Sequence, residues 1–146
     1  MDINEPKILR EDVLVLVDED FNPGNVCIVT GASAGIGRAT AVAAAANNQV
    51  TVGLDIDEKA GKLTEQMARD MCGKMVFIPT DLTSDSEIES AVEEAAKLGQ
   101  IKYVANIAGI QHIDSVEKFP MEKYDLLQKI MLRAPFYLSQ LTIPYM

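Results

Sequence analysis

A chain of 146 residues is long enough for one domain with its own core, and 48% hydrophobic beside 24% charged residues is typical of a globular protein. The formal net charge of -9 argues against a nucleic-acid or anionic-membrane surface, because either would require a basic face. No apolar run approaches the roughly 20 residues of a membrane-spanning helix, and the charged N-terminus does not resemble a signal peptide. We therefore expect a cytoplasmic protein that binds neither nucleic acid nor membrane.

From residue 25 onward, apolar runs alternate with segments of helical spacing. Strands are predicted over 26–30, 49–55, 74–81 and 100–109, and helices over 36–48, 57–71, 84–95 and from about 121 to the end. Four such alternations predict right-handed crossovers, and therefore one doubly wound α/β domain with a parallel sheet over 25–146. Residues 1–24 form an acidic leader, in which Val13 to Val17 could add one strand.

The predicted helices carry local signals of their own. Ser84 and Glu87 have the spacing of a capping box. The second helix has apolar residues at helical spacing, which predicts its buried face: Ala60, Leu63, Met67 and Met71. Cys27 and Cys72 belong to no CxxC pair or histidine cluster, which favours buried thiols over a disulfide and predicts no metal site.

Three glycines stand where the first strand turns into the first helix. Gly31, Gly35 and Gly37 are spaced G-x-x-x-G-x-G. Glycine permits positive φ in the turn and lets a diphosphate approach the backbone at a helix N-terminus, where N–H groups and the helix dipole favour anions. A tight turn alone would also use glycine, but the position between a strand and an alanine-rich helix favours a nucleotide.

Asp55 ends the second predicted strand, 18 positions after Gly37. A carboxylate about 20 residues beyond the glycines is where the adenosine ribose hydroxyls of a dinucleotide are bound. The carboxylate would repel a 2′-phosphate, and no basic residue lies close by in sequence except Arg38. NAD is therefore favoured over NADP. The alternative is that Asp55 is only a solvated strand end.

These motifs resemble those of the short-chain dehydrogenase/reductase family. The segment TGASAGIG (30–37) is similar to the family's cofactor turn, and DLT (81–83) to its adenine-binding segment. NIAG (106–109) is similar to its N-N-A-G signature, with Ile107 in place of the second Asn. The likeness covers about 25–146 and implies a Rossmann-type sheet of order 3-2-1-4, the N-terminal half of an enzyme.

The resemblance also implies roles for individual residues. The turn would cradle the diphosphate, through Gly31, Ser33, Gly35, Ile36 and Gly37. Asp55 would bind ribose, Asp81 and Leu82 would bracket adenine, and the nicotinamide-side ribose would contact Asn106, Ala108 and Gly109. A narrower similarity, over 108–120 and 131–140, is to the 3-hydroxybutyrate dehydrogenase branch, where the position of Gln111 contacts the substrate carboxylate. The alternative for Gln111 and His112 is an ordinary polar loop.

The family's catalytic residues have no counterpart in these 146 residues. The family uses a Tyr four residues before a Lys, because a nearby cation lowers the pKa of the phenol, and no such pair occurs here. Met131 stands where the family has a catalytic Asn, whose main-chain carbonyl holds a water of the proton relay. Pro135 has no N–H, so we hypothesise that it leaves the Met131 carbonyl free for that relay. A proline kink that only improves packing is the alternative.

Three functions are therefore open. The leading one is hydride transfer between NAD and a secondary alcohol or ketone, with 3-hydroxybutyrate and acetoacetate as the first candidates for the small-molecule substrate. The others are a non-catalytic dinucleotide-binding module and a different nucleotide-dependent enzyme on the same fold. The family likeness also implies a homo-oligomer formed through the last helix. On helical pattern alone the apolar stripe of that helix favours the chain's own core over an interface: Leu126, Leu127, Ile130, Leu138 and Leu141.

Overall fold

The computed structural model describes residues 7–146 and contains four strands that alternate with helices. The strands are β1 (Asn25–Thr30), β2 (Val50–Asp55), β3 (Lys74–Pro79) and β4 (Gln100–Ala105). The helices are α1 (Gly35–Ala46), α2 (Glu58–Asp70), α3 (Asp85–Ala96), α4 (Met121–Gln128) and α5 (Ala134–Thr142). A π-helical segment, Lys129–Arg133, joins α4 to α5, and short 3-10 helices lie at Arg10–Asp12, Val116–Lys118 and Ile143–Tyr145.

The sheet has the order β3-β2-β1-β4 with every neighbouring pair parallel, which confirms the predicted strand order. In register, Val26 lies beside Val50, and Val50 beside Lys74. Every residue of β1 is buried, because helices cover both faces of the sheet. Strands buried on both faces have continuous β-branched sequences rather than alternating ones, and VCIVT is such a run.

Alternate residues of the strands pack into two separate hydrophobic layers. Val26 and Ile28 lie in a layer with α3 and α5, whereas Cys27 and Val29 lie in a layer with α1 and α2. Burial raises the pKa of the Cys27 thiol to about 11, so this cysteine is inert as a thiolate near neutral pH. Cys72 is exposed, which corrects the prediction that both thiols are buried.

The buried face of α2 differs from the predicted one. Its buried residues are Gly61, Thr64 and Ala68, whereas Leu63 is half exposed. The cause is a close approach to β3: a Cβ at Gly61 would lie 2.0 Å from the Phe77 ring. Small residues therefore face the sheet directly, and Met67 and Met71 of the predicted face pack at the edge of the same core. Only Leu63 lies largely outside it.

The capping box predicted at α3 does not form. Ser84 is the N-cap residue, but its hydroxyl lies 3.2 Å from the Ser86 hydroxyl and makes no capping bond. The Glu87 carboxylate instead accepts a hydrogen bond of 2.7 Å from the Asp81 backbone N–H. Glu87 therefore holds the DLT segment close to the start of α3.

The described part of the leader, residues 7–24, contains no strand at Val13 to Val17. This segment lies at the end of α1, where the Asn47 side chain forms hydrogen bonds with its backbone. The Leu16 N–H donates to Asn47 Oδ1 at 2.7 Å, and Asn47 Nδ2 donates to the Leu14 carbonyl at 2.9 Å. The Phe21 ring then packs edge-on against Tyr103 of β4, with ring centroids 5.8 Å apart.

The last helical stretch is distorted where the sequence places Pro135. A proline at this position removes the N–H that the Met131 carbonyl would accept in an α-helix, and Met131 lies in the π-helical segment. Leu138 is fully buried in the chain's own core and Leu141 packs against it, which favours the intramolecular alternative for both residues. Within residues 7–146, no helix is both long enough and apolar enough to cross a membrane.

Candidate cofactor site

A groove runs along the carboxyl ends of all four strands. One part is a cleft of about 160 Å³ between the ends of β2, β3 and β4, and the other is a hollow of about 340 Å³ over the N-terminus of α1. The two parts are adjacent and share four lining residues: Gly31, Asp55, Ala108 and Gly109. The groove includes the point between β1 and β4 where the strand order reverses, which is where open α/β sheets bind their ligands.

The three glycines of the turn meet three different steric demands. Gly31 has a φ of +70°, and a Cβ there would lie 2.9 Å from the Ala108 Cα. A Cβ on Gly37 would lie 2.0 Å from the Gly31 carbonyl oxygen, so no side chain fits between α1 and the turn. Gly35 has a φ of +52° and open space where its Cβ would be. The backbone at Gly35 therefore borders an open hollow, into which a diphosphate can fit.

Thr30 connects the turn to the segment after β4, a role that the sequence analysis did not identify. Its buried hydroxyl accepts hydrogen bonds from the backbone N–H groups of Ile107 at 3.0 Å and Ala108 at 3.1 Å. Because Ile107 makes this contact through its main chain, the bond does not require the Asn that the family carries there. The available signal was a hydroxyl at the end of an otherwise apolar buried strand.

The Asp55 carboxylate lies beside the turn, at the junction of the cleft and the hollow. Its Oδ2 accepts from the Ser33 N–H at 3.1 Å and its Oδ1 from the Asp57 N–H at 3.2 Å. Both oxygens are thus held in place by main-chain donors. Ser33 itself is buried and lines neither part of the groove.

Arg38, the one base near the turn in sequence, points away from the groove. Its side chain is buried, with Nε donating to Thr64 Oγ1 of α2 at 3.0 Å and one terminal nitrogen donating to the Ser33 carbonyl. Arg38 therefore supports the turn from behind. It lines neither the cleft nor the hollow.

The far end of the cleft is formed by the segment after β3. Asp81 and Leu82 line the cleft beside Ile56 and Thr80. Asp81 Oδ1 accepts from the Thr83 N–H at 2.8 Å, so the segment forms a tight turn. The two residues predicted to bracket adenine therefore lie on the same side of the groove as Asp55.

The end of the groove near β4 is formed by the segment that follows this strand. Ala108 and Gly109 line it, and Ile130 of the π-helical segment joins them, a residue predicted only as part of an apolar stripe. A Cβ on Gly109 would lie 3.6 Å from Met131 Cε, so the thioether borders this end. Asn106 and Gln111 are exposed and line neither part of the groove.

His112 and the acidic residues do not form a second reactive cluster. The His112 ring packs edge-on against Phe119 with centroids 5.2 Å apart, and its buried Nε2 has no hydrogen-bond partner. Among residues 7–146, no group of three or more His, Cys, Asp or Glu side chains could hold a metal ion. The glycine turn, the Asp55 carboxylate and the cleft form an arrangement that is suited to binding a dinucleotide.

Comparison with known proteins gives a consistent result. The family model described as short chain dehydrogenase matches residues 25–146. The chain is 30% identical over 122 residues to a D-beta-hydroxybutyrate dehydrogenase of Rhizobium meliloti, covering 82% of this chain and 47% of that protein. It is 31% identical over 126 residues to an NAD-dependent glycerol dehydrogenase of Listeria innocua, covering 85% of this chain and 48% of that one.

Solved structures agree with the sequence relatives. The crystal structure of NAD+-bound xylitol dehydrogenase superposes with a TM-score of 0.81 at 27% identity, over 88% of this chain and 50% of that one. A hydroxysteroid dehydrogenase from Escherichia coli superposes with a TM-score of 0.81 at 28% identity, over 87% and 55%. The chain spans about half the length of the proteins that it matches.

Proposed function

We propose that this chain, which belongs to the short-chain dehydrogenase/reductase family, forms the NAD-binding part of an oxidoreductase. The reaction would be hydride transfer between NAD and a secondary alcohol or ketone. The observation that carries this proposal is the Asp55 carboxylate, fixed by two backbone N–H groups beside an open glycine turn. Once bound, NAD would supply the hydride acceptor, and the chain's own residues would hold it.

Different residues of the groove would hold the different parts of the cofactor. The backbone of the turn at Gly35, Ile36 and Gly37 would hold the diphosphate at the N-terminus of α1. Asp55 would accept hydrogen bonds from the adenosine ribose, with adenine between Asp81 and Leu82. Ala108 and Gly109 would lie under the nicotinamide-side ribose, and exposed Asn106 would contact it from the rim.

NAD rather than NADP is the proposed cofactor because of the charge at Asp55. A 2′-phosphate would bring negative charge to this carboxylate, and Arg38 is buried beneath the turn with its donors directed to Ser33 and Thr64. Similarity to an NAD-dependent glycerol dehydrogenase and to an NAD+-bound xylitol dehydrogenase supports the same choice.

The cofactor proposal is tested by isothermal calorimetry on the complete protein. We expect NAD to bind at least about tenfold more tightly than NADP, which corresponds to about 1.4 kcal/mol. Asp55→Asn should weaken the binding of NAD and reduce the ratio of NAD to NADP affinity, because the neutral amide no longer repels the 2′-phosphate. Asp70→Asn, an exposed carboxylate at the end of α2 that lines neither part of the groove, is the matched control and should change neither affinity. NADP binding as tight as NAD in the wild type would contradict the proposal.

For the substrate, we propose a small hydroxy acid, with 3-hydroxybutyrate first. The similarity to the D-beta-hydroxybutyrate dehydrogenase supports this choice, although another relative is named for a polyol. Gln111 would donate its amide N–H to the substrate carboxylate without placing a second charge there. Turnover of 3-hydroxybutyrate by the complete protein, and not of glycerol or xylitol, is the expected result, and Gln111→Leu should raise KM more than it lowers kcat.

A second candidate is a dinucleotide-binding module without turnover. The two candidates separate in one experiment. Binding of NAD with no change in its absorbance at 340 nm, across a panel of secondary alcohols and hydroxy acids, identifies the module.

For assembly and location, we propose a cytoplasmic homo-oligomer formed through α4 and α5. Leu132 and Phe136 are largely exposed and offer apolar surface for a second copy, whereas Leu138 is used in the core. Sedimentation equilibrium on wild type and Phe136→Glu tests this assembly. A wild-type monomer would contradict it.

A further inference from the structure

The peptide groups on both sides of Ser33 are fixed by different side chains. Its N–H donates to Asp55 Oδ2, and its carbonyl accepts from the Arg38 guanidinium. Ser33 is buried, and the next residue, Ala34, is exposed and lines the hollow over α1. The buried arginine thus contacts the main chain at the position where the turn opens to the groove.

The geometry of the peptide bond carries this contact to the groove. A trans peptide is planar, so the carbonyl of one residue and the N–H of the next point in opposite directions. Since the Ser33 carbonyl points inward to Arg38, the Ala34 N–H must point outward, on the side of the hollow. An N–H held in that direction is a preformed donor for an anion.

Thr64 keeps the arginine in place. Arg38 Nε donates to Thr64 Oγ1 at 3.0 Å, and Thr64 Oγ1 donates to the Ala60 carbonyl at 3.2 Å. One guanidinium therefore bridges the turn and α2, which two separate donors on a planar group make possible. A lysine at this position carries its three N–H donors on one nitrogen and lacks the two separate nitrogens with which Arg38 reaches these acceptors.

We infer that Arg38 is a positioning residue for diphosphate recognition: it fixes the Ser33 carbonyl inward and so directs the Ala34 amide into the hollow. The inference rests on the proposed dinucleotide function and deepens it. Arg38 contacts no ligand in this account; it acts through the peptide between Ser33 and Ala34. Its positive charge beneath the turn adds to the potential that favours an anion there.

If Arg38 only stabilised the fold, its substitution would have a different effect on ligand binding. Ligands with and without a diphosphate distinguish this stabilising role from the positioning role. Adenosine binds only through base and ribose, whereas ADP and NAD also carry the diphosphate. A positioning role for Arg38 predicts weaker binding of ADP and NAD with adenosine unchanged. A general loosening of the fold would weaken all three ligands together.

The test is a titration of the complete protein with NAD, ADP and adenosine, followed by NMR. Arg38→Lys should weaken the binding of NAD and ADP about tenfold, because one hydrogen bond from a charged donor is lost. The affinity for adenosine should change by less than about twofold. Thr64→Val, which keeps the side-chain shape and removes the anchor, should give the same pattern at about threefold and serves if Arg38→Lys does not fold. Arg69→Lys, an exposed arginine of α2, is the matched control.

The outcomes separate the inference from the proposed function. Wild-type protein that binds neither NAD nor ADP overturns the proposed function. Wild-type binding that is unchanged in Arg38→Lys and Thr64→Val overturns the inference alone. An equal loss for adenosine and ADP in either folded variant also overturns it, because the arginine would then act on the whole site.

Discussion

The two halves of the groove are built in different ways. On the side of β1 and β2, hydrogen bonds to main-chain atoms fix the polar side chains around the glycine turn, which are Thr30, Asp55 and Arg38. On the side of α4 and α5, the helix contains a π-helical segment and presents apolar side chains to the surface, including Leu132 and Phe136. The side of β1 and β2 is therefore preorganised within this chain, whereas the side of α4 and α5 depends on exposed side chains.

The largest expected effect is at Gly37, on the preorganised side. A Cβ there would lie 2.0 Å from the Gly31 carbonyl oxygen, which is backbone and cannot rotate away. Gly37→Ala should therefore destabilise the fold by about 3 kcal/mol or more and abolish NAD binding, as overpacking against backbone does. Thermal denaturation and calorimetry measure both quantities.

Gly109→Ala is the control for that substitution. Its Cβ would lie 3.6 Å from Met131 Cε, at the far side of the groove, which is an ordinary contact with a flexible side chain. We expect less than about 1 kcal/mol of destabilisation. Equal destabilisation by Gly37→Ala and Gly109→Ala would contradict the view that the turn is packed more tightly than the far side of the groove.

Thr30→Val should give the next largest effect. It keeps the side-chain shape but leaves the buried N–H groups of Ile107 and Ala108 without their acceptor, which costs about 2 kcal/mol or more. Urea unfolding measures this loss. Thr30→Ser retains the hydroxyl and should recover most of the stability; a Val variant as stable as the wild type would mean that the link between β1 and the NIAG segment is unimportant.

Pro135→Ala tests the opposite half. The new N–H could bond to the Met131 carbonyl and convert the π-helical segment to α-helix, so the proposed relay would lose its acceptor. In the complete protein we expect kcat to fall by about tenfold or more, while NAD affinity stays unchanged. Pro144→Ala, in the C-terminal 3-10 helix, is the control. Normal turnover in Pro135→Ala would contradict the relay hypothesis.

The smallest effect concerns the pair that joins the π-helical segment to α3. The Arg133 guanidinium forms two hydrogen bonds with the Asp85 carboxylate and thereby lowers the pKa of that carboxyl below 3.8. The pKa of Asp85 is lower in the folded state than in the unfolded state. The ion pair therefore contributes fully to the free energy of unfolding above pH 3.8, and this contribution is lost as the pH falls through the folded-state pKa.

An NMR titration of the Asp85 carboxyl measures this shift. Arg133→Gln should return the pKa of Asp85 toward 3.8 and leave stability at neutral pH nearly unchanged, because the pair is exposed and screened by solvent. Lys97→Gln, which removes another exposed ion pair, should not affect Asp85. A carboxyl that titrates at the same pH in both variants would show that Arg133 does not hold it.

The parts that sequence predicts well here are those that depend on the main chain. Alternating strands and helices, the order of the strands and the position of the glycine turn follow from periodicity and from steric limits on the backbone. The groove accordingly brings together Gly31, Asp55 and Asp81 as expected. The assigned roles of these residues remain proposals to be tested with ligands.

The errors come from tertiary contacts that local patterns do not encode. The predicted burial of Leu63 in α2 was wrong because close packing against Phe77 selects small residues. The predicted capping box at Ser84 was wrong because Glu87 bonds to Asp81 instead. The inward direction of Arg38 depends on Thr64, 26 residues away. Thr30 was overlooked because a single hydroxyl in an apolar strand looks local, although its partners lie 77 and 78 residues further on.

The contact between the leader and Asn47 has a practical consequence for where this protein can be cut. The family match begins at residue 25, yet the leader bonds to the end of α1 at Asn47 and then reaches β4 at Tyr103. A fragment trimmed to the matched residues would leave the Asn47 amide without two of its partners and uncover one side of the Tyr103 ring. The folding unit is therefore longer than the family motif, and recombinant versions that start at residue 7 or earlier should express and fold better than those that start at 25.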